Sequence, residues 1–550
     1  MRRRWGAARA AALIGPVIGA LLAAGLSAVA GAAGPGVVNV TGGLSPFAPG
    51  CDRVAGDGTN YANSEVEVRI AADPRDANHA VGVWQQDRWS TGGAHGLAAA
   101  TTTDGGATWK RSFAPFSRCA GGTPANGADY ARASDPWVDI APNGDVWQVS
   151  LSVNLADVTT AMLVSRSKDG GGTWSDPVTL QRDTGNAFND KESLTADPTD
   201  PTGRRVYVAW DRLEGPEVPG GVVPGVPLLP SRGPAWFSRT LDGGATWEKA
   251  RPIYDPGPGE QTIGNQIVVL PDGTLLDGFS FGTGGVFGER EGAEGSPLGE
   301  GGAGEEARER AGELAGGPPA AGDDDGDRDR GIGDAPIDPE AGPLTGFSIG
   351  VIRSTDHGAT WSPPVVVAQI RPGENAARLR AGQILPSFAA DPTTGAVSVV
   401  WSDGRFDPAR HDGTALSTSH DGGMSWSAPV RVNRTPPGVA SFLPSVAYAP
   451  DGTLGVSYDD FRNRPVGSAT LTTDVWLATC PPGCAAGGAW PEVHLAGPFD
   501  ASKAPDSGGP FLGDYQGLVG AGPGRFRAFF VMADPGTPDD RTNVFTTVAP

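Results

Sequence analysis

The stretch STDHGATW, Ser354–Trp361, reads as a glycine-containing turn with an aspartate two residues in and a tryptophan closing it. Near-copies stand at 102–109 (TTDGGATW), 167–174 (SKDGGGTW), 240–247 (TLDGGATW) and 419–426 (SHDGGMSW). A reaction site needs one catalytic aspartate, not five in the same setting. Asp104, Asp169, Asp242, Asp356 and Asp421 are therefore read as structural. Such a carboxylate can accept hydrogen bonds from the turn's own N–H groups while the Ser or Thr adds a local bond. The tryptophan supplies buried area that pins the turn to its unit.

Aligned on these turns, the chain repeats a unit of four short strands, rich in Val, Thr, Trp and Phe and often alternating in hydrophobicity. Units fall at Glu65–Pro115, Asp135–Leu180, Glu192–Tyr254, Asn265–Val367, Leu385–Val432 and Leu443–Leu495. The turn tryptophans are 65, 73, 114 and 65 residues apart, and the outlier has a visible cause. Residues 283–345 are rich in Gly, Glu, Asp and Ala, with 16 acidic against 5 basic residues and almost no aromatic or β-branched ones. A segment of that composition buries too little apolar surface to fold, so it is read as a disordered acidic insertion inside the fourth unit. Its 63 residues, once removed, leave a spacing of 51.

Three strands remain at the C-terminus, in GDYQGLVGA, FRAFFVMAD and NVFTTVA, and GVVNVTG (Gly36–Gly42) supplies a fourth from the other end. Sharing strands between the two termini closes a ring and removes exposed sheet edges. The count is seven units, the last one shared. In the sixth unit TCPPGCAAGGAWPEV replaces the aspartate turn, and a Cys480–Cys484 disulfide is expected to staple it, which leaves Cys51 and Cys119 as the second pair.

The first 33 residues carry Arg2, Arg3 and Arg4, an apolar run from Ala11 to Ala30 and small residues at its end, the layout of a secretory signal peptide. No later segment has the length and hydrophobicity of a membrane span, so the mature chain, 34–550, is expected to be a secreted single domain. Its net charge of −21, about −25 without the four leader arginines, excludes nucleic acid and anionic membranes as partners. The six histidines show no metal-ligand spacing. No cofactor is expected. The acidic run Asp323–Asp329 hints at calcium, but its glycine comes too early for an EF-hand loop, and it is read as solvated.

The turns resemble the Asp boxes, or BNR repeats, of the sialidase superfamily of β-propellers, and the resemblance covers nearly the whole mature chain outside the insertion. It implies an all-β propeller of four-stranded blades, seven by the present count against six in the sialidase fold. It further implies that the boxes lie between third and fourth strands, on the face away from the active site. The family's chemistry binds a sugar carboxylate with arginines and uses a tyrosine activated by a glutamate as nucleophile, with an aspartate as acid or base.

Carried onto this chain, the resemblance nominates Tyr515, Glu192 and Asp135 as catalytic and Arg69, Arg88, Arg212, Arg405 and Arg462 as substrate-binding. The chain departs from the family where an Arg-Ile-Pro is usual: it reads Arg69-Ile70-Ala71. Four of the arginines follow second strands beside an aspartate, in Asp87-Arg88, Asp211-Arg212, Asp403-Gly-Arg405 and Asp460-Phe-Arg462, so internal Asp/Arg pairing is the competing reading. The expected activity is that of a monomeric exo-alpha-sialidase or related glycoside hydrolase acting on carbohydrate or glycoconjugate. The alternative is a propeller that binds a glycan or protein without turnover.

Overall fold

The computed structural model describes residues 36–54, 58–154, 157–215, 232–283, 346–373, 379–484, 490–537 and 540–550. The leader (1–33) and all but one residue of the acidic insertion (283–345) lie outside them. Every regular element described is a β-strand apart from three single-turn 3-10 helices, so the all-β expectation holds. No helix among the described residues is long and apolar enough to cross a membrane.

The strands form successive four-stranded antiparallel meanders. The first runs Glu65–Asp73, Asp76–Arg88, Ala94–Thr102 and Lys110–Ser112. The second runs Arg132–Ile140, Val146–Asn154, Thr159–Ser167 and Val178–Thr184, and joins the first through one bridge, Ala94 to Ala133. The third comprises Ala187–Ala196, Val206–Glu214, Ala235–Thr240 and Arg251–Tyr254. The fourth is Glu260–Val269, Leu275–Thr283, Phe347–Ser354 and Val365–Gln369. The fifth is Ser387–Ala390, Val397–Asp403, Gly413–Ser419 and Val430–Arg431, and the sixth Ser441–Tyr448, Leu454–Asp460, Thr472–Cys480 and Glu492–Asp500. A last sheet orders Gly517–Gly520, Phe526–Thr537 and Asp540–Ala549 with Val38–Asn39, which pairs antiparallel with Thr546 and Phe545.

Second strands are apolar at successive positions because both of their faces are covered. In Val206–Trp210 the side chains of Val206, Val208 and Trp210 join a core with Trp147, Val149 and Leu151 of the second sheet. Tyr207 and Ala209 join another with Ile267 and Leu275 of the fourth. Alternation along a strand thus sends neighbours into two different inter-sheet cores. Trp84, Trp210 and Trp401 are fully buried, each contributing about 4–6 kcal/mol by area, an upper bound.

The five aspartate turns stand between third and fourth strands with one hydrogen-bond pattern. The Thr102 hydroxyl donates to Asp104 Oδ1 (2.8 Å) and accepts from Gly106 N–H (2.9 Å), while Thr108 gives its N–H to Asp104 Oδ1 (2.9 Å) and its hydroxyl to Oδ2 (2.6 Å). The Ser354–Trp361 turn repeats it with Ser354, Gly358 and Thr360 around Asp356.

The tryptophans do more than expected: they reach the preceding sheet. Trp174 donates to Ser112 Oγ of the first sheet (3.0 Å), Trp247 meets Trp147 of the second (5.9 Å between centroids), and Trp361 meets Phe237 of the third (5.6 Å). Trp109 of the first lies 5.8 Å from Phe529 of the last. Both expected disulfides, Cys51–Cys119 and Cys480–Cys484, are present. After Cys484, Trp490 packs with Val400, Leu416 and Val432 of the fifth sheet, so the tryptophan's task survives where the aspartate does not.

Hydrogen bonds from the turn hydroxyls and N–H groups hold the carboxyls of Asp104, Asp169, Asp242 and Asp421 down to about 2, and that of Asp356 lower still. A depressed folded-state pKa stabilises above the ordinary carboxylate range and loses that contribution as pH falls through the folded value. The urea midpoint of the protein is therefore expected to drop between about pH 4 and pH 2, and changing all five aspartates to Asn should flatten that slope. A parent midpoint that stays level over this interval contradicts the assignment.

Candidate functional site

The first strands of five sheets share an irregularity. Their ladders with the second strands skip between Val66 and Arg69, Ser134 and Trp137, Asp190 and Ser193, Ile263 and Gln266, and Phe442 and Ser445. At each skip one residue has positive φ: Glu67 (51°), Asp135 (51°), Lys191 (46°), Gly264 (73°) and Leu443 (51°). Four of these are not glycine, and each such residue costs of order 1–3 kcal/mol in backbone strain. Bulges of this kind re-aim side chains beside functional sites.

Three of the bulged residues meet. Lys191 Nζ lies 3.1 Å from Glu67 Oε1, 3.0 Å from Asp135 Oδ1 and 2.8 Å from Asp514 Oδ2, so one buried ammonium ties together carboxylates from the first and second sheets and the approach to the last. Asp514 also receives Arg380 Nη2 at 3.0 Å. Burial works against the Lys191 cation, but Asp135, Asp514 and Glu67 hold its pKa well above normal. Burial likewise opposes the Asp514 anion, yet Arg380 and Lys191 hold its carboxyl far below the usual range. Glu67 is pushed up to about 8 by burial, against the pull of Lys191, and Asp135 is raised by burial as well.

A narrow pocket opens beside this cluster, lined in part by Arg69, Trp137, Glu192, Gln266, Ser387 and Tyr515. Further lining from Pro444 means that each of the seven meanders or its approach strand contributes. The pocket sits part-way along the first strands: Arg69 and Trp137 come two residues after the bulged Glu67 and Asp135, toward the strand ends where the aspartate turns stand. Arg69 Cζ lies 3.7 Å above the Trp137 ring, and Tyr515 packs on the other ring contact at 5.8 Å between centroids and donates to the Pro136 carbonyl (3.3 Å).

The pocket's cation is Arg69, with the buried Asp139 carboxyl, pushed up to about 6, as its nearest counter-charge. Arg69 makes no hydrogen bond or ion pair with any described residue, and burial lowers its pKa only to about 10, so it stays charged. Glu192 is buried, and neither of its carboxyl oxygens has a hydrogen-bond partner among the described residues. Burial, and then the Asp135 charge, raise its pKa well above normal, which favours its neutral form. Burial also raises the Tyr515 phenol, followed by Glu67 and Asp135, so it is a neutral donor. Asp514, at the pocket wall, is ionised but neutralised by its two cations. A fixed cation facing a neutral acid and a neutral phenol favours an anionic guest.

Of the residues nominated by sequence, Arg69, Glu192 and Tyr515 converge here. Asp135 lies against Lys191 and does not line the pocket. The other four arginines stand elsewhere, held by their surroundings. Arg212 pairs with Asp183 (2.8 Å) and Glu214, Arg405 with Asp403 (2.8 Å), and Arg462 with Asp460 (2.6 Å) and Glu492 (3.0 Å). Arg88 is buried, donating to Gln85 Oε1 (2.7 Å) and Ser507 Oγ (3.0 Å) and stacking over Phe511.

Trp137 and Gln266 were missed. A proline inside a paired strand marks a bulge, and Asp135-Pro136-Trp137 and Leu443-Pro444 carry that signal in the sequence.

Lys191→Met should cost about 3–5 kcal/mol of stability at pH 7, because it takes the cation from Asp135 and leaves Asp514 with Arg380 alone. The deficit should shrink on acidification, as Asp135, whose carboxyl burial already raises, takes up a proton. Urea denaturation at pH 7 and pH 5 checks both, and a loss under about 1 kcal/mol at pH 7 would show that the cluster is not held by its charge.

No protein-family profile matches the chain, and no curated protein does. Among solved structures it is similar to a Hadza microbial sialidase at 14% identity, covering 93% of this chain and 94% of that one, with a TM-score of 0.42. The NanB sialidase of Streptococcus pneumoniae gives 9% identity, coverages of 94% and 98%, and 0.42. An alpha-L-arabinofuranosidase of Fusarium graminearum gives 14%, 77% and 96%, and 0.41. At these values the likenesses bear no weight on what the chain does.

Proposed function

We propose that this chain is an exported β-propeller glycoside hydrolase of the sialidase-like class, taking an anionic sugar at the pocket of Arg69, Glu192 and Tyr515. The observation that carries the reading is the pairing of a guanidinium held by no carboxylate with a buried carboxyl that has no hydrogen-bond partner among the described residues, in one pocket. Arg69 would bind the guest's anion and Trp137 would support the face of its ring. Glu192 would give its proton to the leaving oxygen, since a carboxyl kept neutral at working pH is what a general acid needs. Tyr515, its hydroxyl turned from the Pro136 carbonyl, would donate to the same substrate. Asp135 and Lys191 would fix the walls and set the field.

The seven meanders read as seven blades, and the aspartate turns as Asp boxes on the side toward which the first strands run. Val38–Asn39 would close the ring: Val40 N–H donates to the Val544 carbonyl (2.8 Å), and Thr41 Oγ1 to Asn543 Oδ1 (3.0 Å). Deleting residues 36–42 should therefore cost about 2–4 kcal/mol and leave an open edge that self-associates. Calorimetry and light scattering test this, and an unchanged melting curve rejects strand-shared closure. Export is inferred from the leader's layout and agrees with the two disulfides.

A second reading, a binding propeller without turnover, draws on the carboxylate-held Arg212, Arg405 and Arg462: Arg69, the arginine lining the pocket among the described residues, suits recognition as well as catalysis. A fluorogenic sialoside and an arabinofuranoside separate the two. Turnover that falls about 10- to 100-fold in kcat/KM in Arg69→Ala supports the hydrolase. Glu192→Gln should lose about 10²–10⁴-fold in kcat. Arg212→Ala and Arg405→Ala should stay within about twofold in kcat/KM, since neither lines the pocket and each is held by a carboxylate. Because Glu192 acts only while protonated, the rate should decline as pH rises through its raised pKa. Absent turnover with Arg69-dependent glycan binding selects the second reading.

A further inference from the structure

The pocket of Arg69, Glu192 and Tyr515 is also lined by Asn265. In the fourth sheet Asn265 stands where Glu192 stands in the third: each directly follows the positive-φ residue of its bulge, Gly264 in one and Lys191 in the other. Asn265 is 1% exposed, and its amide is held at one end only. Nδ2 donates to Asp211 Oδ1, on the second strand of the third sheet, and lies 3.5 Å from Thr262 Oγ1. Asp211 is itself fixed, accepting from the Gly264 N–H (2.8 Å) and the Thr262 hydroxyl (3.0 Å). An acceptor takes the nitrogen end of an amide, so the oxygen end is turned away from Asp211. That oxygen, Oδ1, has no hydrogen-bond partner among the described residues.

We propose that Asn265 is a specificity-determining residue, its carboxamide oxygen accepting a hydrogen bond from a hydroxyl of the guest while Arg69 takes the guest's anion, an assignment that rests on the sugar-binding reading above. The ligand class is then a sugar acid, with a carboxylate and free hydroxyls on one ring, and not any anion small enough to enter. A buried amide oxygen gives up its bonds to water on folding and recovers one only when a ligand brings a donor. A guest without a hydroxyl closes the pocket over an unpaired acceptor, which is why sites built to bond a hydroxyl reject analogues that lack it. An amide suits this place better than a carboxylate, because it accepts without setting a second anion beside the one that Arg69 binds. Asp211 holds the amide in its receiving orientation before the guest arrives, so little freedom is lost on binding.

The test is calorimetric titration of the full mature chain with N-acetylneuraminate, glucuronate and cyclohexanecarboxylate, the last a ring-borne carboxylate without hydroxyls. At least one of the sugar acids should bind about tenfold or more tightly than the bare carboxylate. Asn265→Ala should weaken that sugar acid about 10- to 100-fold and leave cyclohexanecarboxylate within about twofold, and the retained binding shows that the variant's pocket is folded. Arg69→Ala should weaken both. Equal affinity of the unaltered chain for hydroxylated and bare carboxylates overturns the assignment without recourse to a variant. An Asn265→Ala chain that keeps its sugar-acid affinity, or that loses all three probes alike, overturns it too. In each of these cases the hydrolase reading stands if a fluorogenic sialoside or arabinofuranoside is still turned over in an Arg69-dependent way. Failure of all three probes to bind at millimolar concentration, with no turnover, overturns the assignment and that reading together.

Discussion

One ammonium group holds the centre of this molecule. Lys191 Nζ reaches three carboxylates that arise from the first sheet, the second sheet and the approach to the last, and it does so from a backbone conformation that only the bulge permits. Charges packed out of water are costly unless each is satisfied, and the arrangement is close to neutral because Lys191 and Arg380 offset Asp135 and Asp514 while burial pushes Glu67 up to about 8. The pocket inherits its character from that balance. Glu192 follows Lys191 directly and has no hydrogen-bond partner among the described residues, so burial favours its neutral form, while Arg69, two residues beyond Glu67, is a cation that no carboxylate pairs directly.

The architecture was legible because its signals are local. Each aspartate turn closes its hydrogen bonds within seven residues, from Ser354 to Thr360 in the turn around Asp356, and repeats often enough to be counted. The strand units matched the observed sheets to within a few residues. The Cys480–Cys484 substitution for an aspartate turn could be read because Trp490 kept its place. The tryptophans' reach was not legible: a residue that caps its own turn and one that cements the neighbouring sheet look alike in sequence.

The site was legible in part. Arg69, Glu192 and Tyr515 could be nominated by residue type and strand position, but their convergence depends on bulges at Glu67, Asp135 and Lys191. None of those three is a glycine that would advertise a left-handed backbone. The arginines after second strands misled in the opposite way. Their aspartate neighbours fit both internal pairing and anion recognition, and only the distances to Asp183, Asp403 and Asp460 separate the two.

The inter-sheet reach of the turn tryptophans also divides the molecule into a conservative end and a permissive one. At the end where third strands pass into fourth strands, loop length is fixed by the need to deliver an indole to the next sheet. At the other end no such delivery is required. The fourth sheet shows the difference: its second and third strands keep an unbroken register from Leu275–Ser354 to Gly282–Phe347, although more than sixty residues separate Thr283 from Phe347 in the chain. Variation in the chain can accumulate between second and third strands without touching the cement, so new loops can be tried there while the fold stays as it is.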